Sequence, residues 1–453
     1  MKCHQVFVLG FLGAIAVGML LFMLPLSSPS HTWMAPMDAL FTSCSAVCIT
    51  GLTVIDVGNQ LSLFGQWVLL ALVQLGCLGI MSTVSFVLIV AGNRYVAQAH
   101  EYSVVNGYGT AGVKSLRHLI VALVAMMGII EATGMFALHG LFAMQAAADP
   151  ALPAESASWF RAYFYSVMAF CNAGFSLDPG SIAMFGSQPA ILGVMGLLAI
   201  AGGLGFPVIY NLATIQYWRR NLVKRGRLSL NSRVVLACSL IFLVFTYVFL
   251  LAVEWKGSLE PFSLGEKFSV CFFQAVTPRT CGFTVTPIAE QHVASRFVEM
   301  VLMFIGAAPG GAGGGIKVTT FAVFLSTIVA LCRRQRETVM FKRTISESTV
   351  RDSIVIVMVF AAMVVLGMTV LLISDGGNES LSFENLLFET VSAVSTTGLS
   401  CGSTTASLSN IGRIVLMVCM FGGRLGALAV VLLIGGQESR TTIRYPREEL
   451  IVG

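Results

Sequence analysis

Four seven-residue stretches of this 453-residue chain carry the residue types that could do chemistry: AVCITGL (46–52), AFCNAGF (169–175), TPRTCGF (277–283) and AVSTTGL (393–399). Aligned on one glycine each, Gly51, Gly174, Gly282 and Gly398, they contain no Asp or Glu and offer backbone carbonyls instead. Glycine permits the conformations that turn carbonyls inward, and rings of carbonyl oxygens can replace the hydration shell of an alkali ion. A hard divalent ion would call for carboxylates. The candidate ligand segments are Val47, Cys48, Ile49, Thr50 and Gly51; Phe170, Cys171, Asn172, Ala173 and Gly174; Thr280, Cys281 and Gly282; and Ser395, Thr396, Thr397 and Gly398. They predict a monovalent-cation site, with the polar residues acting mainly through their carbonyls. Cys48 and Cys171 share one offset, and packing of a small side chain explains them better than thiol chemistry.

Other chemistry is poorly represented. The six His are scattered without ligand spacing, and the eleven Cys form no CxxC pair. Neither a metal centre nor a nucleophile with its base is readable, so an enzyme is not expected. The stretch APGGAGGGIK, Pro309, Gly310, Gly311, Ala312, Gly313, Gly314, Gly315 and on to Lys317, cannot remain helical. It lacks the adjacent Gly-Lys-Ser/Thr of a phosphate loop, which leaves a flexible loop inside an apolar run, with Lys317 neutralising or anchoring it. Arg424 follows Gly422 and Gly423 in another apolar run, where a charge is functional by default. A barrier combined with a latch, or a latch alone, are the two roles open to it. Glu131 is the most isolated acid of the apolar segments. It suits either a buried base as partner or a subunit contact.

The elements that must position these residues follow from hydropathy. The chain is 56% hydrophobic and 11% charged, with net charge +5 and mean hydropathy +0.84, which indicates a multi-spanning membrane protein. Long apolar runs near 6–26, 66–92, 119–145, 189–217, 233–253, 297–331, 353–374 and 411–436 predict eight membrane spans. The first is read as a retained span rather than a secretory signal, because its length exceeds the usual apolar region of about 7–15 residues. Four shorter segments, 37–47, 160–170, 264–276 and 383–394, reach only half a membrane and lead into the four heptads. With eight crossings, the basic loops at 219–233 and 333–351, Lys2, Arg94, Lys114, Arg117 and the C-terminal Arg440, Arg444 and Arg447 all fall on one side. The positive-inside rule makes that side cytoplasmic, with both termini there.

The predicted fold is therefore an all-α membrane protein of four helix–pore-loop–helix repeats around a central pore, like a potassium channel. The boundaries are 1–92, 93–218, 219–332 (with an intramembrane loop at 305–317) and 333–453. Each aligned Gly has a Phe ten residues earlier (Phe41, Phe164, Phe272, Phe388). Each also has a glycine break in the following span, first at Gly76, Gly202, Gly306 and Gly422, which lie 25, 28, 24 and 24 residues on. Non-helical backbone at membrane depth is tolerated where it is buried in protein or lines a water-filled cavity. The C-terminal ends of the four short helices, carrying partial negative charge, would favour a cation there.

These heptads, together with IGAAPGGAGGGIKVTTF (305–321), NAGFSLD (172–178) and GGRLGAL (422–428), resemble the Ktr/Trk/HKT superfamily of potassium transporters over essentially the whole chain. The eight-span length and the ending YPREELIVG are most similar to the Ktr-type membrane subunit. The resemblance implies potassium uptake across the plasma (inner) membrane, with potassium held at the filter carbonyls. It implies a gate at residues 309–315, a barrier at Arg424 below the filter, and an Arg279 that braces the third filter segment. It also implies a cytosolic RCK-type nucleotide-binding regulatory ring, like KtrA, and a homodimer. No organic cofactor on this chain and no nucleic acid are implied; the partners are the ring, a second subunit and the bilayer. In this superfamily Gly at the first filter position accompanies potassium preference and Ser appears in sodium-preferring plant members; here it is Gly51. Sodium stimulation stays open, as does a second reading, a sodium-selective or sodium-coupled symporter of the same superfamily. Symporter sites often lie between inverted repeats, whereas these basic loops require repeats of one orientation.

Overall fold

The computed structural model describes residues 3–79, 116–148, 158–214, 228–378, 381–402 and 404–426. The expected second halves of the first and fourth inner spans (80–92 and 427–436), most of the 219–233 loop and the C-terminal tail lie outside the described residues.

A single order of elements occurs four times. It begins with an outer helix: α1 (Cys3–Met23), α4 (Leu116–Ala148), α8 (Leu230–Val253) or α12 (Glu347–Asp375). A short helix follows: α2 (Pro36–Val47), α5 (Trp159–Phe170), α9 (Leu264–Val276) or α13 (Phe383–Ser395). After the heptad comes an inner helix: α3 (Leu63–Leu78), α6 (Pro189–Leu204), α10 (Val293–Phe304) or α14 (Asn410–Leu425). The second and third inner segments resume as α7 (Phe206–Thr214) and α11 (Val318–Cys332).

Among the described residues, three helical stretches are by themselves long and apolar enough to cross a membrane, Val121–Ala147, Leu230–Val253 and Glu347–Asp375. All three belong to outer helices. Among the described residues, the second and third inner runs are interrupted. Helices α6 and α7 meet at 99°, and the run 297–331 is cut by the loop between α10 and α11.

Every inner helix starts at an N-cap, Ser62, Gln188, His292 or Ser409, and a glycine stands fourteen residues on: Gly76, Gly202, Gly306 and Gly423. The fourth register is therefore corrected from Gly422 to Gly423. Three of these glycines are functional in packing. A Cβ on Gly76, Gly202 or Gly423 would strike the carbonyl oxygen of Val47, Phe170 or Val394, near the end of the short helix of the same repeat. Glycine thus lets inner and short helices touch backbone to backbone.

The four units close on one another. Each inner helix packs on the next short helix: α3 on α5, α6 on α9, α10 on α13, and α14 back on α2. Two of these junctions carry matching ion pairs. Arg296 of α10 meets Glu384 of α13 at 3.0 Å, and Arg413 of α14 meets Asp38 of α2 at 2.8 Å. Both acids lie in the first turn of their helix, where negative charge is favoured.

An unexpected element sits in the basic segment 333–351. Strands Val339–Met340 and Arg343–Thr344 pair as an antiparallel hairpin. Its two turn residues, Phe341 and Lys342, are both left-handed, which matches the twist of a tight hairpin.

Candidate functional site: a ring of four glycines

Each short helix runs out three to six residues before its aligned glycine, and the backbone then takes a repeated path. Gly51, Gly174, Gly282 and Gly398 have φ of 89°, 68°, 81° and 87°. Two residues ahead of them, Ile49, Asn172, Thr280 and Thr396 are also left-handed, at 55°, 55°, 70° and 50°. Three of those four are β-branched, for which this conformation is rare. Such strain costs about 1–3 kcal/mol per residue and persists only where the surroundings enforce it.

Hydrogen bonds show what the path achieves. The N–H groups turn back to the short helices: Thr50 donates to Ser45 O (2.8 Å), Ala173 to Met168 O (2.9 Å), Cys281 to Thr277 O (3.0 Å) and Thr397 to Ser392 O (2.9 Å). Gly51 and Gly398 donate to the hydroxyls of Ser45 and Ser392, each at 3.1 Å. The carbonyls of Ile49, Thr50, Asn172, Ala173, Thr280, Cys281, Thr396 and Thr397 accept no hydrogen bond among the described residues. Donors point outward to the scaffold and acceptors are left over.

The leftover acceptors meet in a closed ring. A Cβ on Gly51 would collide with Ala173 O, and one on Gly174 would come within 2.9 Å of Gly282 Cα. A Cβ on Gly398 would collide with Thr50 O, and one on Gly282 would press on Thr397 O. The order 51, 174, 282, 398 and back to 51 follows the order of the helix contacts. Phe41, Phe164 and Phe388, ten residues before their glycines, are fully buried behind the ring. Phe272 is only partly buried and lies against Gly196.

On one side of the ring opens a cavity of about 640 Å³ lined by Gly51, Gly174, Gly282 and Gly398 and by the acids Asp56 and Asp178. Asp178 is held by Arg161 at 2.7 Å and by Tyr165. On the other side lies the loop between α10 and α11. Its Gly313 sits where a Cβ would hit Thr280 Oγ1, and its Gly314 where one would hit Thr396 Oγ1. Those two hydroxyls are buried without partners, as is that of Thr50. The expectation that polar residues here matter mainly through their carbonyls is thus too narrow, because three hydroxyl oxygens are also unused.

The loop is tied down from several sides. Ala308 and Ala312 donate to Gly203 O and Gly202 O, each at 3.1 Å, and Gly310 O accepts from Phe206 N at 3.1 Å. Lys317 Nζ donates to Gly313 O at 2.6 Å, anchoring the loop on itself. Arg424 donates through Nη1 to Ala312 O and through Nη2 to Gly76 O at 2.7 Å. One guanidinium from the fourth repeat therefore bridges the third-repeat loop and the first inner helix. Within the loop Gly310 and Gly315 are left-handed, with φ of 73° and 69°, and Pro309 bars helical continuation.

Arg279 donates to Ser239 O of α8 at 3.5 Å, and with Asn172 and Cys281 of the heptads it lines a cavity of about 170 Å³ between α8 and α6. Among the described residues Glu131 meets no base. Both its oxygens accept from Gln74 Nε2 at 2.8 Å, and Cys171 Sγ lies 3.8 Å from one of them. The left-handed residues two places before each glycine had no sequence signal, since Ile and Thr normally exclude that conformation.

A family model described as "TrkH: Cation transport protein" matches residues 14–440. The chain is 32% identical to the Ktr system potassium uptake protein B of Bacillus subtilis, over 99% of this chain and 96% of that protein. It is also 32% identical to the protein of the same description from Vibrio alginolyticus, over 99% and 94%. In fold it is similar to the crystal structure of the potassium transporter TrkH from Vibrio parahaemolyticus, with a TM-score of 0.72 at 19% identity, covering 96% of this chain and 85% of that one. Carbonyl-lined ring, apolar helices and full-length kinship agree: this helical membrane protein belongs to the TrkH family of cation transport proteins.

Proposed function

We propose that this chain takes up potassium across the plasma membrane through a channel-like path whose selectivity filter is the glycine ring. The observation that carries the reading is the division of labour in the four heptads, where N–H groups bond back to the scaffold and eight carbonyls are left for a ligand. A dehydrated alkali ion needs such a cage, and the short-helix C-termini add partial negative charge. Uptake of potassium by relatives of 32% identity supports the choice of ion.

The loop at 305–317 is the gate in this reading, closed under the filter, and Arg424 is both its latch and a positive barrier in the ion path. The vestibule acids Asp56 and Asp178 lie on the outer side. The exposed cations of the hairpin segment, Arg333, Arg334, Arg336, Lys342 and Arg343, lie on the cytoplasmic side. They suit a cytosolic nucleotide-binding regulatory ring, with the transport subunit as a homodimer.

The purified chain reconstituted in liposomes tests this directly. Rubidium influx should be saturable and competed by potassium more strongly than by sodium. Competition by sodium alone would transfer the assignment to a sodium-selective transporter, and absence of any flux would contradict the path.

A further inference from the structure

The third repeat departs from the other three at one buried spot away from the ring. Seven residues after the N-cap, the inner helices carry Leu69, Met195 and Leu416, all fully buried, but the third carries Glu299, also 0% exposed. One residue before the N-cap stand the buried Leu61 and Leu408 in the first and fourth repeats, and Gln291 in the third. Eight residues before the ring glycine stand Ser43, Ser166 and Thr390, against Gln274 in the third. Those Ser and Thr hydroxyls are satisfied by backbone carbonyls.

The substituted side chains are not satisfied. Both oxygens of Glu299, both polar atoms of Gln274 and of Gln291, and the hydroxyl of Ser295 have no hydrogen-bond partner. Gln274 and Gln291 approach the Glu299 carboxylate, and Ser295 approaches that of Glu254, without meeting hydrogen-bond geometry. All four residues are at least 96% buried. Native interiors hold few such groups, and each calls for an explanation, of which an ion is one. A second acid lies nearby: Glu254, at the end of α8, is used up by His292 N (2.9 Å), Ser258 N (3.2 Å) and Ser258 Oγ (2.9 Å). Asp375 accepts from Ser409 N at the corresponding junction of the fourth repeat, so Glu254 has a structural role. Among the described residues neither Glu254 nor Glu299 forms an ion pair; the nearby Arg296 is engaged by Glu384. A buried carboxylate beside another, with no cation, is costly to hold, and a leucine would fill the position as it does elsewhere in this chain.

We propose that Glu299, Gln274, Gln291 and Ser295 bind a small hard monovalent cation, sodium, beside the third short helix. Carboxylate and amide carbonyl oxygens are ligands of hard cations. One carboxylate with free oxygens balances one positive charge, because Glu254 spends its own on hydrogen bonds. The site stands eight residues from Gly282 on α9, which gives its occupancy a direct mechanical route to the ring. It does not rest on the ring being a potassium filter.

Thermal unfolding of the purified full chain, with sodium exchanged for choline at fixed ionic strength, tests the site. The wild-type Tm should rise saturably with sodium, and Glu299→Leu should abolish that rise while leaving any potassium-dependent rise in place. Gln291→Leu should shift the sodium midpoint upward at least tenfold, and it serves where Glu299→Leu does not fold. An equal sodium effect in the variants, or none in the wild type, would overturn the proposal in favour of a protonated Glu299. A Glu299-dependent effect of calcium but not sodium would overturn the monovalent assignment.

Discussion

Gly51 shows how much of a side chain the ring can admit. Its φ of 89° already disfavours any other residue, and a Cβ there would run into the Ala173 carbonyl. Gly51→Ser therefore moves the Ala173 carbonyl as well as adding a hydroxyl. The ratio of potassium to sodium uptake should fall about tenfold, equivalent to ~1.4 kcal/mol of lost discrimination. An unchanged ratio would remove Gly51 from the filter. The four glycines were legible as a repeated residue in a repeated setting. Ile49, Thr280 and Thr396 were not, because a β-branched residue signals extended or right-handed backbone until the surrounding bonds override it. Glu299 was equally hidden: one acid in an amphipathic helix reads as a solvated face until its burial is known.

At the scale of elements, the break in the third inner segment separates this repeat from its siblings. Where the others hold a short helix carbonyl against a single glycine, the third diverts thirteen residues, 305–317, into a loop held by Arg424. Arg424→Ala removes two charge-assisted hydrogen bonds, each worth about 1.5–3 kcal/mol at such sites. It should raise cation flux several-fold in the absence of a regulatory partner, and deleting residues within 309–315 should do likewise. Unaltered flux in both would dismiss the gate. The loop was readable from Pro309 and its five glycines, whereas its docking on Gly202 and Gly203 was not, since backbone-to-backbone contacts leave no side-chain pattern. The glycine register of the fourth repeat was misplaced by one residue for a related reason. The linkers between ring glycine and inner helix differ in length, and only the N-caps give a common origin for counting.

Over the whole molecule, the ring depends on four separate stretches closing in one cyclic order, so the junctions between repeats should matter more than their exposure suggests. The Asp38–Arg413 pair fastens the last repeat to the first, with side chains 30% and 18% exposed. Either single charge removal should cost about 0.2–1 kcal/mol. The exchange Asp38→Arg with Arg413→Asp should recover part of that in a chemical-unfolding series. No recovery would mean the pair does not fasten the cycle. Hydropathy and the distribution of basic loops made the membrane class and the repeat order legible. How the glycine breaks dock on their neighbours depended on backbone contacts that sequence alone does not place. The account as a whole stands on one measurement: potassium uptake by cells that lack their own potassium uptake systems and express this chain. It predicts restored uptake of potassium at concentrations where the parent cells fail, increased further by a nucleotide-binding partner. Expression of the intact chain in the membrane with no potassium flux would contradict it.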